Sequence, residues 1–339
     1  MKKKICYILG TSLLAIMILQ GCGAKGTHQS EAGKEKVILN EVAHSIFYAP
    51  MYVAIENGYM EEEGIDLTLN TGFGADKTMT ALLTGEADIG FMGAESSIYT
   101  YLEGASDYAV NFAQLTQRAG NFLVGREKVE NFTWDMLKGK EVLGGRAGGM
   151  PEMVFEYILQ KNGLDPKTDL TINQSIDFGS TAAAFSSNQG DFSVEFEPAA
   201  TALEEKGDGY VIASLGVDSG YVPYTSFSCK KSYLEKNKDT LQAFTNAIQK
   251  GLNYVNSHSS EEIANVIAPQ FKETDSATTV TIVKRYQDQE TWKKDLVFSS
   301  DSFDLLQNIL EQGGQLEKSV PYEDLVNTDL AKEARSENP

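Results

Sequence analysis

The order in which short apolar runs, glycines and amphipathic segments follow one another constrains this chain more than any other feature. Ile65, Leu67 and Leu69 alternate with Asp66 and Thr68, a period of two that suits a strand with unlike faces. Ahead of it, Pro50 stands where it can open a helix and Gly58 where it can close one. Behind it, Gly72-Phe73-Gly74 makes a loop into Lys77 to Leu83, where Met79, Leu82 and Leu83 share a helical face. Gly85 then punctuates, and Asp88 to Phe91 returns to strand. Strand, helix and strand in this rhythm predict an α/β fold with a largely parallel sheet and ligand loops at the strand ends.

The same grammar recurs. Val142-Leu143 runs into the glycine-rich Gly144 to Gly149, Pro151 can open a helix over Glu152 to Asn162, and Gly163 can cap its end. Leu170 to Asn173 follows as a strand, then a helix from Ser180 to Ser186, then Gly190-Asp191 and the strand Phe192 to Val194. Two lobes of similar construction are implied. Tyr108 to Ala113 and Asn121 to Val124 are candidate crossing segments, and Thr225 to Cys229 leads back. The expected division is 37–131 for the first part of lobe one and the hinge, 132–215 for lobe two, and 216–339 for the hinge return and the rest of lobe one. The last third is more helical: Leu241, Phe244, Ile248, Leu252 and Val255 keep helical spacing, and Ser259 with Glu262 can form a capping box.

The first residues have a separate purpose. Three lysines and a short apolar stretch, Ile5 to Leu19, precede Leu19-Gln20-Gly21-Cys22. The layout resembles a bacterial lipoprotein signal over 1–21, with lipid expected on Cys22. Residues 22–36 hold almost nothing apolar and read as a flexible tether. The mature protein is then expected outside the cytoplasm, held to the bacterial cell membrane by lipid. Of the three cysteines only Cys229 stays in the body, which excludes an internal disulfide there and favours a small buried hydrophobe. His28, His44 and His258 are scattered, so no zinc ligand spacing is present. A net charge of −19 argues against nucleic acid as partner.

At Phe47-Tyr48-Ala49-Pro50-Met51-Tyr52-Val53-Ala54, followed by Asn57-Gly58-Tyr59-Met60-Glu61-Glu62-Glu63-Gly64-Ile65-Asp66-Leu67, the chain resembles the opening of the SsuA/THI5-like (NMT1-like) solute-binding proteins. Leu82-Leu83-Thr84-Gly85-Glu86-Ala87-Asp88-Ile89-Gly90 resembles the same family. Weaker similarity runs through Gly144-Gly145-Arg146, Glu197-Pro198 and Gln242 to Lys250. The resemblance implies a two-lobed periplasmic-binding-protein fold of type II, a flytrap with a mixed, mostly parallel sheet in each lobe. It implies a monomer that closes on a small solute and delivers it to an ABC permease and its ATPase, with no catalysis and no cofactor.

Loops at strand ends in both lobes are the candidate cleft walls, where helix N-termini offer unpaired N–H donors. In the first lobe these are His44 to Tyr48, Gly72 to Asp76 and Gly93 to Ser96; in the second, Gly145 to Glu152 and Asp177 to Ser180. Phe47 and Tyr48 suit either ligand stacking or packing on the first helix. Ser96 and Ser180 suit either ligand contact or helix capping. Glu95, Glu195 and Glu197 beside apolar neighbours suit either ligand contact or a salt bridge between lobes, and Arg146 either an anion site or the surface. His44, Phe73, Asp76, Phe178 and Tyr224 complete the expected ligand set. Gly144 to Gly149 lacks the spacing of a dinucleotide fingerprint and the Gly-Lys-Ser/Thr ending of a phosphate loop.

Sulfonate or nitrate would need several N–H donors and a cation, with Arg146, Arg118 or Arg126 available. A thiamine-type aminopyrimidine would need aromatic faces and a carboxylate. The aromatic residues near the loops and the three glutamates favour the heterocycle. Two other functions are compatible with the resemblance: a thiamine-pyrimidine synthase-like enzyme of the THI5 type, whose clustered-cysteine motif is absent here, and a ligand-sensing lipoprotein.

Overall fold

The computed structural model describes residues 33–176 and 178–338. The expected signal and Cys22 lie outside the described residues. Among the described residues ten strands form two five-stranded sheets. The first contains β1 (Glu35–Glu41), β2 (Ile65–Thr71), β3 (Ile89–Gly93), β4 (Ala109–Gln114) and β10 (Thr225–Lys230), in the order β2-β1-β3-β10-β4. The second contains β5 (Phe122–Gly125), β6 (Glu141–Leu143), β7 (Thr171–Asn173), β8 (Phe192–Glu195) and β9 (Tyr210–Ser214), in the order β7-β6-β8-β5-β9.

The two sheets share one plan. β1 pairs in parallel with β2 and β3, and β6 with β7 and β8. Each sheet then receives one antiparallel strand, β10 in the first and β5 in the second. Phe122–Gly125 therefore departs from the expected division. It falls within 37–131, the span expected to hold the first part of lobe one and the hinge, and it pairs with β8 and β9, so the chain leaves the first sheet after Gln114. The reason is register: Phe122 to Gly125 meets Glu195 to Phe192 residue for residue, and all four strand residues are buried there. The chain passes between the sheets at 115–121 and again at 215–224. β1 also begins two residues before Val37, inside the expected tether.

Local chemistry explains most elements. β2 alternates buried or half-buried positions with exposed ones as its period of two requires. Gly85 and Gly207 end their helices in the left-handed region, and the capping box of Ser259 and Glu262 is formed. The helix Lys238–Ser257 buries its apolar stripe against Ala49–Glu56. A Cβ on Gly251 would stand 2.1 Å from the Pro50 carbonyl oxygen, so only glycine permits that approach. The C-terminal helices do not stay on the first lobe: Ser300–Gln312 packs on Met150–Lys161 of the second.

An aromatic stack joins this core to the region between the sheets. Phe244 meets Phe227 edge-on at 5.2 Å, Phe227 stacks on Phe91 at 4.2 Å, and Phe91 meets Tyr48 edge-on at 4.5 Å. Phe227, Phe244 and Phe91 are fully buried, each contributing about 2–3 kcal/mol of transfer free energy. Tyr48 is thereby held from behind.

Candidate functional site

A cavity of about 70 Å³ lies between the two sheets, room for a metabolite-sized group and a few waters but not a polymer. From the first lobe come Val42 and Ala43 after β1, Tyr48, Gly74 and Ala75 after β2, and Gly93 and Glu95 after β3. The second lobe supplies Arg146, Gly149, Met150 and Pro151 after β6, and Phe196 after β8. Tyr224 and Thr225 at the start of β10 close one wall.

Three helices begin at this cavity: Ala75–Thr84, Glu95–Leu102 and Met150–Lys161. None has a side-chain hydrogen bond at its N-cap; the first N–H groups of two of them, those of Glu95 and Met150, act on the Glu95 carboxylate, and Pro151 brings no N–H. Contacts across the cleft hold the lobes together. The Tyr99 hydroxyl donates to the Gly148 carbonyl at 2.9 Å, and Ser45 Oγ donates to the Glu197 carbonyl at 2.7 Å. Arg146 Nε stands 3.9 Å from Asp76 Oδ1, with both side chains half exposed at the rim.

Glu95 is the charged residue at the centre. It is 1 % exposed, and no hydrogen-bond partner reaches its Oε2. Burial pushes its carboxyl up to about 7, against the pull of its own N–H, the Arg146 guanidinium and the Met150 N–H. Gly93 makes room for it: a Cβ there would lie 2.0 Å from Glu95 Oε2. The Tyr48 hydroxyl meets the Thr225 side chain and is raised by burial.

Of the expected ligand residues, the fold brings Tyr48, Glu95, Arg146 and Tyr224 together around the cavity, with Asp76 at the rim. His44 is drawn away. Its Nδ1 faces Glu41 Oε1 and its Nε2 the Gln270 carbonyl, both at 2.9 Å, and its ring stacks on Phe271. Both nitrogens thus face acceptors, and the bond to Glu41 raises its pKa despite partial burial. Phe47 lies behind the wall among Tyr48, Phe196, Tyr224 and Tyr286. Ser96 is buried in its own helix, where its carbonyl accepts from Thr100.

The other two glutamates are engaged within the protein. Glu195 accepts from Thr181 and Ser193, and burial raises its carboxyl to about 7. Glu197 pairs with Arg285 at 2.7 Å and accepts from Thr201. Phe73 is 64 % exposed beside the rim, and Ser180 is exposed and does not line the cavity. Phe178 begins a short helical turn; Asp177 falls outside the described residues. The sequence reading missed Val42, Ala43 and Thr225, small residues with no signal beyond their position at strand ends.

The NMT1/THI5-like family model matches residues 46–262, more than half of the chain. The chain belongs to the NMT1/THI5-like family. YtlA of Bacillus subtilis (strain 168), provisionally named a binding protein, is 48% identical over 302 residues, covering 89% of this chain and 90% of its own. Two solved structures share the fold. The alkanesulfonate-binding protein SsuA from Xanthomonas axonopodis pv. citri, bound to MOPS, is 17% identical with a TM-score of 0.70 over 88% of this chain and 99% of its own. The periplasmic nitrate-binding protein NrtA from Synechocystis PCC 6803 is 15% identical with a TM-score of 0.73 over 90% of this chain and 89% of its own. This NMT1/THI5-like chain therefore has the two-lobed periplasmic-binding-protein fold expected from its sequence.

Proposed function

We propose that this chain is the extracytoplasmic solute-binding component of an ABC-type importer, tethered by lipid on Cys22, which closes its lobes on a small organic solute and delivers it to a permease. The observation that carries the reading is the cavity walled by both lobes and lined by Tyr48, Glu95, Arg146, Phe196 and Tyr224. The two passages at 115–121 and 215–224 serve as the hinge. A solute touching both walls favours the closed state through contacts that the open state lacks. The binding-protein names of YtlA and of the two structural neighbours support the assignment, and no helix among the described residues is long and apolar enough to cross a membrane.

Within that role a thiamine-type aminopyrimidine is favoured over sulfonate, taurine or nitrate. Three aromatic residues offer a flat ring its faces, whereas Arg146, the one cation of the lining among the described residues, leans to the rim. The reading is non-enzymatic. A synthase that consumes its own histidine would present that residue to the ligand, and His44 is instead engaged by Glu41 and Gln270.

Titration calorimetry against aminopyrimidine, taurine, alkanesulfonate and nitrate tests this. Binding of the pyrimidine, with compaction in small-angle scattering, is expected. Tight sulfonate binding that is lost in Arg146→Ala would reverse the preference, and unchanged dimensions on binding would overturn lobe closure.

A further inference from the structure

The cavity contains a mismatch that solute capture alone does not explain. The helix N-termini already hold an anion, the Glu95 carboxylate, which draws on its own N–H and the Met150 N–H, yet its Oε2 is buried and left without a donor. Leaving a buried carboxylate oxygen without a donor is costly. Arg146 acts on it only at a distance, through its charge, because its guanidinium lies toward Asp76 with its side chain 49 % exposed, and among the described residues no lysine or histidine lines the cavity.

We propose that Glu95 determines specificity: the admitted solute carries a nitrogen-borne donor, an ammonium or a ring amino group, that hydrogen-bonds Glu95 Oε2 from inside the cavity, and bare anions are excluded. The inference rests on the solute-binding role above and names the chemistry of the solute. Its donor end meets Glu95. Its acceptor end faces the Arg146 guanidinium. A solute of one polarity satisfies only half of this lining. An anion held there would sit against a carboxylate in a low-dielectric site, where like charges repel strongly.

A pH signature follows. Glu95 accepts best when ionised, and its carboxyl is pushed up to about 7. The groups around it are Arg146 and the Met150 N–H from the second lobe, Tyr48 from the first loop, Tyr99 on its own helix and Tyr224 from the return strand. Burial raises all three tyrosines, so they stay neutral near pH 7. Glu152, also raised, lies behind Gly148 and acts on Tyr99. Binding of an ammonium should therefore strengthen about tenfold from pH 6 to pH 8, as Glu95 gives up its proton.

The test uses two matched pairs: taurine with ethanesulfonate, and an aminopyrimidine with the same ring lacking its amino group. Each is titrated into the wild type and Glu95→Gln, with unliganded melting curves confirming that the variant is folded. The expected result is that the wild type prefers the amine-bearing member of a pair by more than roughly tenfold. In Glu95→Gln that preference falls to within about threefold and the pH dependence flattens; Glu152 is unchanged in both proteins, so the difference belongs to Glu95. Wild-type binding of ethanesulfonate as tight as taurine, or full discrimination in Glu95→Gln, would overturn the proposal while leaving solute capture standing. No response to any of the four probes would overturn both.

Discussion

Replacing Arg285 by Met isolates the ion pair that fastens the second lobe to the C-terminal helices. Arg285, on the helix Ser276–Asp288, reaches Glu197 Oε1 at 2.7 Å through Nη1 and Glu204 Oε2 at 2.8 Å through Nη2. Glu197 is fully buried at its side chain, while Arg285 is 28 % exposed and Glu204 equally so. Removing one partner of a buried pair costs about 3–5 kcal/mol, because the remaining charge is stranded. Two features reduce that figure. Glu197 keeps hydrogen bonds from the Thr201 N–H and hydroxyl at 2.9 Å each, and water can enter where Arg285 was already part-exposed. The expected loss is about 2–3 kcal/mol, or roughly 5 °C in melting temperature for a chain of this size. Differential scanning calorimetry of R285M, E197Q and the double variant measures it. The double variant should recover at least about half of the R285M loss, since no buried charge is then left. A loss below about 0.5 kcal/mol in R285M, or a double variant no more stable than R285M, would show that Glu197 does not depend on this pair and refute the reasoning.

Three further outcomes are expected. His44 has a pKa raised by Glu41, so its contribution is fully present below the unfolded value of about 6.5 and is lost as pH rises through the folded value; melting curves should fall between pH 6 and pH 8 in the wild type and less steeply in His44→Gln. Phe91→Ala removes the ring between Phe227 and Tyr48 and should cost about 3–5 kcal/mol by chemical denaturation, with weaker solute binding because Tyr48 loses its backing. Cys22→Ser should abolish lipid attachment, and mass spectrometry of membrane-extracted wild type showing a chain that starts at Cys22 without lipid would contradict that.

The rhythm of strands, helices and glycine joints was legible from neighbouring residues, because periodicity and capping are local. β2, the helix Ala75–Thr84 and the capping box at Ser259 follow from spacing alone, and four of the five loops expected at strand ends carry cavity residues. Which side chain of a loop enters the cavity was not legible. Glu95, Glu195 and Glu197 look alike in sequence, each an acid beside apolar neighbours. Their surroundings separate them: Glu195 turns to Thr181 and Ser193, Glu197 finds Arg285 eighty-eight positions on, and Glu95 alone of the three lines the cavity with an oxygen unmet. His44 looked like a ligand residue until Glu41, Tyr52 and Gln270 surrounded it. β5 joined the second sheet because Phe192 to Glu195 offered it a ladder that no local pattern announces. Secondary structure is encoded over a few residues, whereas burying a charge or completing a sheet depends on partners that only the closed fold supplies.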